Sequence, residues 1–245
     1  RSRQSDDSQH ARGAAGARAM FLGHYGVAFA AKRFAPRTSL GTTILAAQFL
    51  DELWPILLLL GIERVRIAPE AVGSLQFVYY PYSHSLVAAA LWSVLIGAAY
   101  YVLRRYKRGA WIVGGAVLSH WLLDVPMHVA DLPLWPGSHV FLGFGLWKSV
   151  PATIVIEFGF YLAGLAIYLR STRARDRVGS WGLWAMVIAL ACLYVSSLVS
   201  PPPPSEHVLA IMTLGLWLFI PLGWWVDRHR EGVDNASIEG SAWPT

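Results

Sequence analysis

Ser119-His120-Trp121-Leu122-Leu123-Asp124-Val125-Pro126-Met127-His128 is the stretch on which the reading of this chain turns. It closes an apolar run, residues 110–127, that is close to the length a membrane-spanning helix needs, about 20 mostly apolar residues. Yet it carries two imidazoles and a carboxylate. Ionisable groups in hydrocarbon are costly and mark functional positions. The spacing of four puts His120 and Asp124 on one helix face, one turn apart. His128 continues that line unless Pro126 bends or ends the helix first.

Outward from this run, five further stretches read as spans: 39–62, 83–103, 148–169, 181–200 and 207–226. Residues 20–31 are apolar but too short to cross, and are expected to form a re-entrant or interfacial helix. Composition agrees. Of 245 residues, 55% are hydrophobic and only 14% charged, against about a quarter charged in soluble domains. Mean hydropathy is +0.44. Trp54, Trp92, Trp111, Trp147, Trp181 and Trp224-Trp225 stand near the ends of apolar runs, as in an aromatic belt. The fold class expected is all-α: a polytopic bundle of about six transmembrane helices plus the short N-terminal one, in a single domain over residues 20–230. The polar, Arg-rich residues 1–19 and the tail 231–245 read as disordered, with Met20 as the natural start. The apolar stretch after Met20 has no small-residue cleavage pattern following it, so no clean signal peptide is expected.

The net charge of +5 is a topology signal before it is a nucleic-acid signal. Lys32, Arg33 and Arg37 precede the first span. Arg104-Arg105-Tyr106-Lys107-Arg108 follows the second, residues 170–177 with four arginines the fourth, and Asp227-Arg228-His229-Arg230 the sixth. In a six-span chain all four clusters fall on one side, the cytoplasmic side by the positive-inside rule, with both termini there. No basic face interleaved with aromatics suggests nucleic acid. Cys192 stands alone, so neither an intrachain disulfide nor a thiolate metal site forms. Pro201 to Pro204 make a rigid outer turn. No internal repeat is visible, which counts against an inverted-repeat transporter.

The remaining intramembrane polar groups are His24 in Gly23-His24-Tyr25-Gly26, adjacent Asp51 and Glu52, His84 in Ser83-His84-Ser85, and Glu157. Asp51 and Glu52 cannot face the same way; Asp51 is the expected ligand or catalytic carboxylate. Glu157 is the candidate general base or supporting carboxylate. At 1.5 Å per residue from the basic end, Asp51 lies about 18 Å deep, His120 about 15 Å, Asp124 about 21 Å and Glu157 about 20 Å. Residues from three spans thus share one slab, with His84 and His128 about 27–28 Å deep and His24 about 12 Å deep. Imidazole and carboxylate in one slab suit a divalent ion, zinc before manganese or iron. Asp131 and His139 read as solvated loop residues, and His207 and His229 as structural.

The order Gly23-His24, Asp51 in the first span, Ser83-His84-Ser85, then Ser119-His120-Trp121-Leu122-Leu123-Asp124 resembles the YdjM-like inner-membrane metal-dependent hydrolases over residues 20–128. The resemblance implies a membrane-bound hydrolase with His24, Asp51, His84, His120 and Asp124 as metal or catalytic residues, in a bacterial inner membrane. Glu157 and His128 rest on their placement alone. A lipid or lipid-linked ester or phosphoester suits a site at acyl-chain depth. There is no Gly-x-Ser-x-Gly nucleophile elbow and no His-Glu-x-x-His helix. Two other functions use the same residues: a small ion or proton transporter or channel, and a non-catalytic scaffold whose polar cluster pins helices together. Oligomeric state is not legible.

Overall fold

Apolar runs in lipid must satisfy their own backbone hydrogen bonds, so they form helices. The computed structural model describes residues 21–68 and 71–233. Its helices are α1 (Leu22–Phe34), α2 (Leu40–Ala47), α3 (Phe49–Leu59), α4 (Pro81–His84), α5 (Leu86–Arg104), α6 (Lys107–Met127), α7 (Val150–Ser171), α8 (Arg177–Val199), α9 (Glu206–Leu214) and α10 (Phe219–Arg228). A 3-10 turn, Gly215–Leu218, joins α9 to α10 as one continuous span. Among the described residues five helical segments are long and apolar enough to cross a membrane, six with the bent pair α2–α3. The protein is all-α and polytopic. Leu103, Trp181 and Val155, at 79%, 73% and 70% exposure, stand on outer faces where a soluble protein would carry charge.

Among the described residues three short antiparallel pairs decorate the ends: β1 (Arg64–Ile67) with β2 (Leu75–Tyr79), β3 (Leu132–Pro133) with β4 (Phe141–Leu142), and β5 (Thr172–Ala174) with β6 (Arg230–Gly232). The last pair corrects the C-terminal boundary, because residues 230–232 form a strand rather than the start of a disordered tail. Residues 1–20 and 234–245, which hold the expected N-terminal segment with Met20 and most of the expected C-terminal tail, lie outside the described residues. The β5–β6 pairing brings the α7–α8 connection to the end of α10. Lys32 Nζ meets Asp227 Oδ2 at 2.8 Å, tying α1 to the same end. Arg37 lies over the Tyr106 ring, 4.8 Å from its centroid, adding the α5–α6 connection. All four basic clusters therefore sit at one end of the bundle.

Small residues let the helices approach closely, as in membrane packing generally. α1 crosses α7 with Gly26 against Phe160 and Gly164 against the Gly26 carbonyl. α5 meets α6 at Gly97 and Gly114, where Ser93 Oγ donates to the Gly114 carbonyl at 2.7 Å. The short first helix lies inside the bundle, not on its surface. It is buried almost all round and runs three residues past the expected end, because Lys32 keeps its charge paired with Asp227 and the Thr38 carbonyl.

Two expected continuous spans are broken. The 39–62 stretch bends by 57° at Gln48. The 83–103 stretch stops after α4, turns at extended Ser85, and restarts as α5 with the Ser85 hydroxyl capping Ala88 N–H at 3.1 Å. Trp54 and Trp147, expected at the membrane surface, are buried instead, against Phe77 and His128 respectively.

Candidate metal centre

Both breaks serve one cluster. The bend at Gln48 leaves the Ala47 carbonyl outside the ladder of α3, and His120 Nδ1 on α6 takes it at 2.7 Å. The turn at Ser85 ends α4 so that His84, expected near the outer surface, faces inward. His84 Nε2 lies 3.4 Å from Asp51 Oδ1 and 4.0 Å from Asp124 Oδ2. His120 Nε2 lies 3.6 Å from both Asp51 Oδ1 and Asp124 Oδ2. Four donor atoms, two nitrogens and two oxygens, thus close a ring. His24 joins from α1: its Nε2 is 3.3 Å from Asp124 Oδ1, and its ring stacks on His120 at 3.7 Å. The helical count had put His24 below the slab, but the stacked rings set it level with His120.

Hydrogen bonds settle which nitrogen points into the cluster. His120 Nδ1 can only donate to a carbonyl, which leaves Nε2 as the ring nitrogen facing the cluster. The Ser83 hydroxyl donates to Glu63 Oε2 at 2.6 Å, which leaves its oxygen to accept from His84 Nδ1 at 2.8 Å. His84 Nε2 is therefore the inward-facing nitrogen as well. Two imidazole nitrogens facing two carboxylates make a site for positive charge, carried either by protons on the rings or by a cation among them. The separations of 3.3–4.0 Å exceed the about 2.7–2.9 Å of a charge-assisted N–H···O bond. They suit the about 3.3 Å between neighbouring ligands of a tetrahedral ion bound at about 2.0–2.1 Å. His24 Nδ1, His24 Nε2 and Asp124 Oδ2 are buried without a hydrogen-bond partner among the described residues. Polar groups so placed are costly unless something binds them. Two overlapping triads, His24-His120-Asp124 and Asp51-His84-His120, could each hold a divalent ion. The Asp51 side chain retains 20% exposure against 6% or less for the other four, so the cluster opens on its side.

The other expected residues fall around this centre. Glu157, fully buried on α7, accepts the Gly23 N–H at 2.6 Å through Oε2. It holds the first turn of α1, next to His24, and its Oε1 has no partner among the described residues. Glu52 faces away from Asp51, buried, with neither oxygen partnered among the described residues. His128 is a correction to the expected ligand line. α6 runs through Pro126 to Met127, and His128 caps it by donating its backbone N–H to the Asp124 carbonyl at 2.8 Å. Its ring then turns to Trp147 and gives Nδ1 to Asp131 Oδ1 at 2.9 Å, outside both triads. Asp131 is accordingly not a solvated loop residue, since Tyr80 also donates to it at 3.1 Å.

Glu63 was not singled out by the sequence, where it stands in a charged loop beside Arg64 and Arg66. The fold buries it and gives it three donors, Tyr82 N–H at 2.8 Å, Ser83 N–H at 2.9 Å and the Ser83 hydroxyl. Burial pushes its carboxyl up, and the Ser83 and Tyr82 donors pull it back. Glu63 and Ser83 orient His84 as carboxylates and carbonyls behind metal-binding imidazoles do, and losing such a partner costs about 10–100-fold in metal affinity. Glu63→Gln and Ser83→Ala should each weaken metal binding by that order in a chelator competition. Affinity equal to wild type in both would remove His84 from the ligands. No protein-family profile, curated protein or solved structure matches this chain.

Proposed function

We propose that this protein is a membrane-embedded metal-dependent hydrolase acting on a lipid or lipid-linked ester or phosphoester. The observation that carries the reading is the pair of pinned imidazoles, whose Nε2 atoms face Asp51 and Asp124. Asp51, His84, His120 and Asp124 would hold the ion, with His24 as a further nitrogen donor. This mixed donor set accepts zinc first, and manganese or iron as well. A divalent ion there supplies Lewis acidity and lowers the pKa of water. Asp51, the most exposed of the five side chains, would lie nearest an arriving water. Glu157 and α1 hold His24 in position through Gly23. Placement among apolar spans favours a substrate delivered from the bilayer. The resemblance of the five residues, in order, to the YdjM-like hydrolases supports the same activity. By the positive-inside rule the Arg-rich end is cytoplasmic, and the same resemblance implies a bacterial inner membrane.

The test is elemental analysis of the protein purified in detergent. Stoichiometric zinc, manganese or iron, together with a melting temperature that rises on adding that metal, is the expected result. Protein that carries none and gains no stability from any of the three overturns the reading. Metal-loaded protein should then cleave a lipid phosphoester or ester in mixed micelles and lose that activity to a chelator.

A further inference from the structure

Three arginines that positive-inside topology would simply scatter over the cytoplasmic end instead line one groove and the recess that adjoins it. Arg37 comes from the α1–α2 connection, Arg104 from the last turn of α5 and Arg228 from the last turn of α10. Between α2, α5, α6 and α10 runs a groove of 590 Å³ walled by Leu45, Ile96, Val113 and Trp224, with Arg104 and Arg228 at its edge. It shares Tyr100, Leu103 and Arg104 with a polar recess of 250 Å³ that Arg37 and Tyr106 complete. Asp227 also lines the groove, but Lys32 neutralises it at 2.8 Å. Arg104 and Arg228 are exposed and make no ion pair among the described residues. The Arg37 guanidinium lies over the Tyr106 ring, which leaves its N–H edge for an oxygen anion.

We propose that this groove and recess form a binding site for an anionic phospholipid, with an acyl chain along the apolar walls and the phosphate between Arg37 and Arg104. Amphiphile chemistry follows from the layout: an apolar trough open to lipid, ending in a cationic recess. A zwitterionic lipid would fill the trough equally well, so the arginines are what select negative charge. The site is separate from the metal centre and does not depend on it.

The experiment uses the full-length protein in detergent. Its melting temperature is followed on titration with dioleoyl phosphatidylglycerol, dioleoyl phosphatidylcholine, or glycerol 3-phosphate without acyl chains. Phosphatidylglycerol alone should stabilise strongly. Arg37→Gln and Arg104→Gln should each weaken its apparent affinity about fivefold, the value of one basic side chain near an anionic lipid surface. Ala99→Trp, which fills the trough, should weaken it while leaving metal content unchanged. Equal stabilisation by phosphatidylcholine overturns the proposal, as does unchanged phosphatidylglycerol affinity in both arginine variants. Equal stabilisation by glycerol 3-phosphate also overturns it, leaving a bare anion site.

Discussion

His120→Ala is expected to empty the metal centre and to abolish the hydrolysis that depends on it. His120 is the residue common to both candidate triads. Its Nδ1 is spent on the Ala47 carbonyl, so its Nε2 has one task. Changing residues that merely support ligands costs about 10–100-fold in metal affinity. Removing a shared ligand should exceed the upper end of that range. The variant also leaves Asp51 and Asp124 facing each other's charge with one imidazole fewer, so metal-free His120→Ala should melt below metal-free wild type. Asp124→Ala should lose metal likewise, since its two oxygens face His24 on one side and His84 and His120 on the other. The contrast is His128→Ala. His128 pairs with Asp131 outside the cluster, so this variant should keep its metal. Elemental analysis decides; a His120→Ala protein holding the full complement of metal would sink the assignment.

Gly26→Leu should destabilise the bundle by about 3 kcal/mol, the upper end of overpacking costs. A side chain at Gly26 runs into the Phe160 carbonyl, and one at Gly164 into the carbonyl of Gly26. The obstacle in both cases is backbone, which cannot swing aside as a flexible side chain does. The α1–α7 crossing must open, and α1 carries His24 while α7 carries Glu157. Metal affinity should therefore fall together with melting temperature. Gly159→Leu on the same α7 is the control, because an added Cβ there meets nothing within 4 Å. If Gly26→Leu melts with wild type and binds metal as tightly, the close crossing does not hold the site.

Hydropathy and periodicity are local properties, and what is local was legible. The apolar lengths of 110–127, 181–200 and 207–226 identified spans, and the four basic clusters were assigned to one end. The i, i+4 pair His120 and Asp124 follows from helical pitch alone, and both do face one centre. What the sequence could not show depends on which helix faces meet. The break at Gln48 is matched by bonds from other helices, His120 to Ala47 and Gln48 Nε2 to the Phe21 carbonyl. The turn at Ser85 swings His84 from the outer surface to Asp51, which counting along a straight helix could not find. Glu63 carried no spacing signal, because its partner Ser83 is brought to it by the β1–β2 hairpin that lies between them in the chain. His128 left the ligand line because the helix ended at Met127 and Asp131 was within reach. The sequence by itself determined that this is a helical membrane protein with costly His, Asp and Glu side chains in its spans. Only the tertiary structure decided which of them meet, because helix breaks and facing surfaces are set by hydrogen bonds and close crossings between segments far apart in the chain.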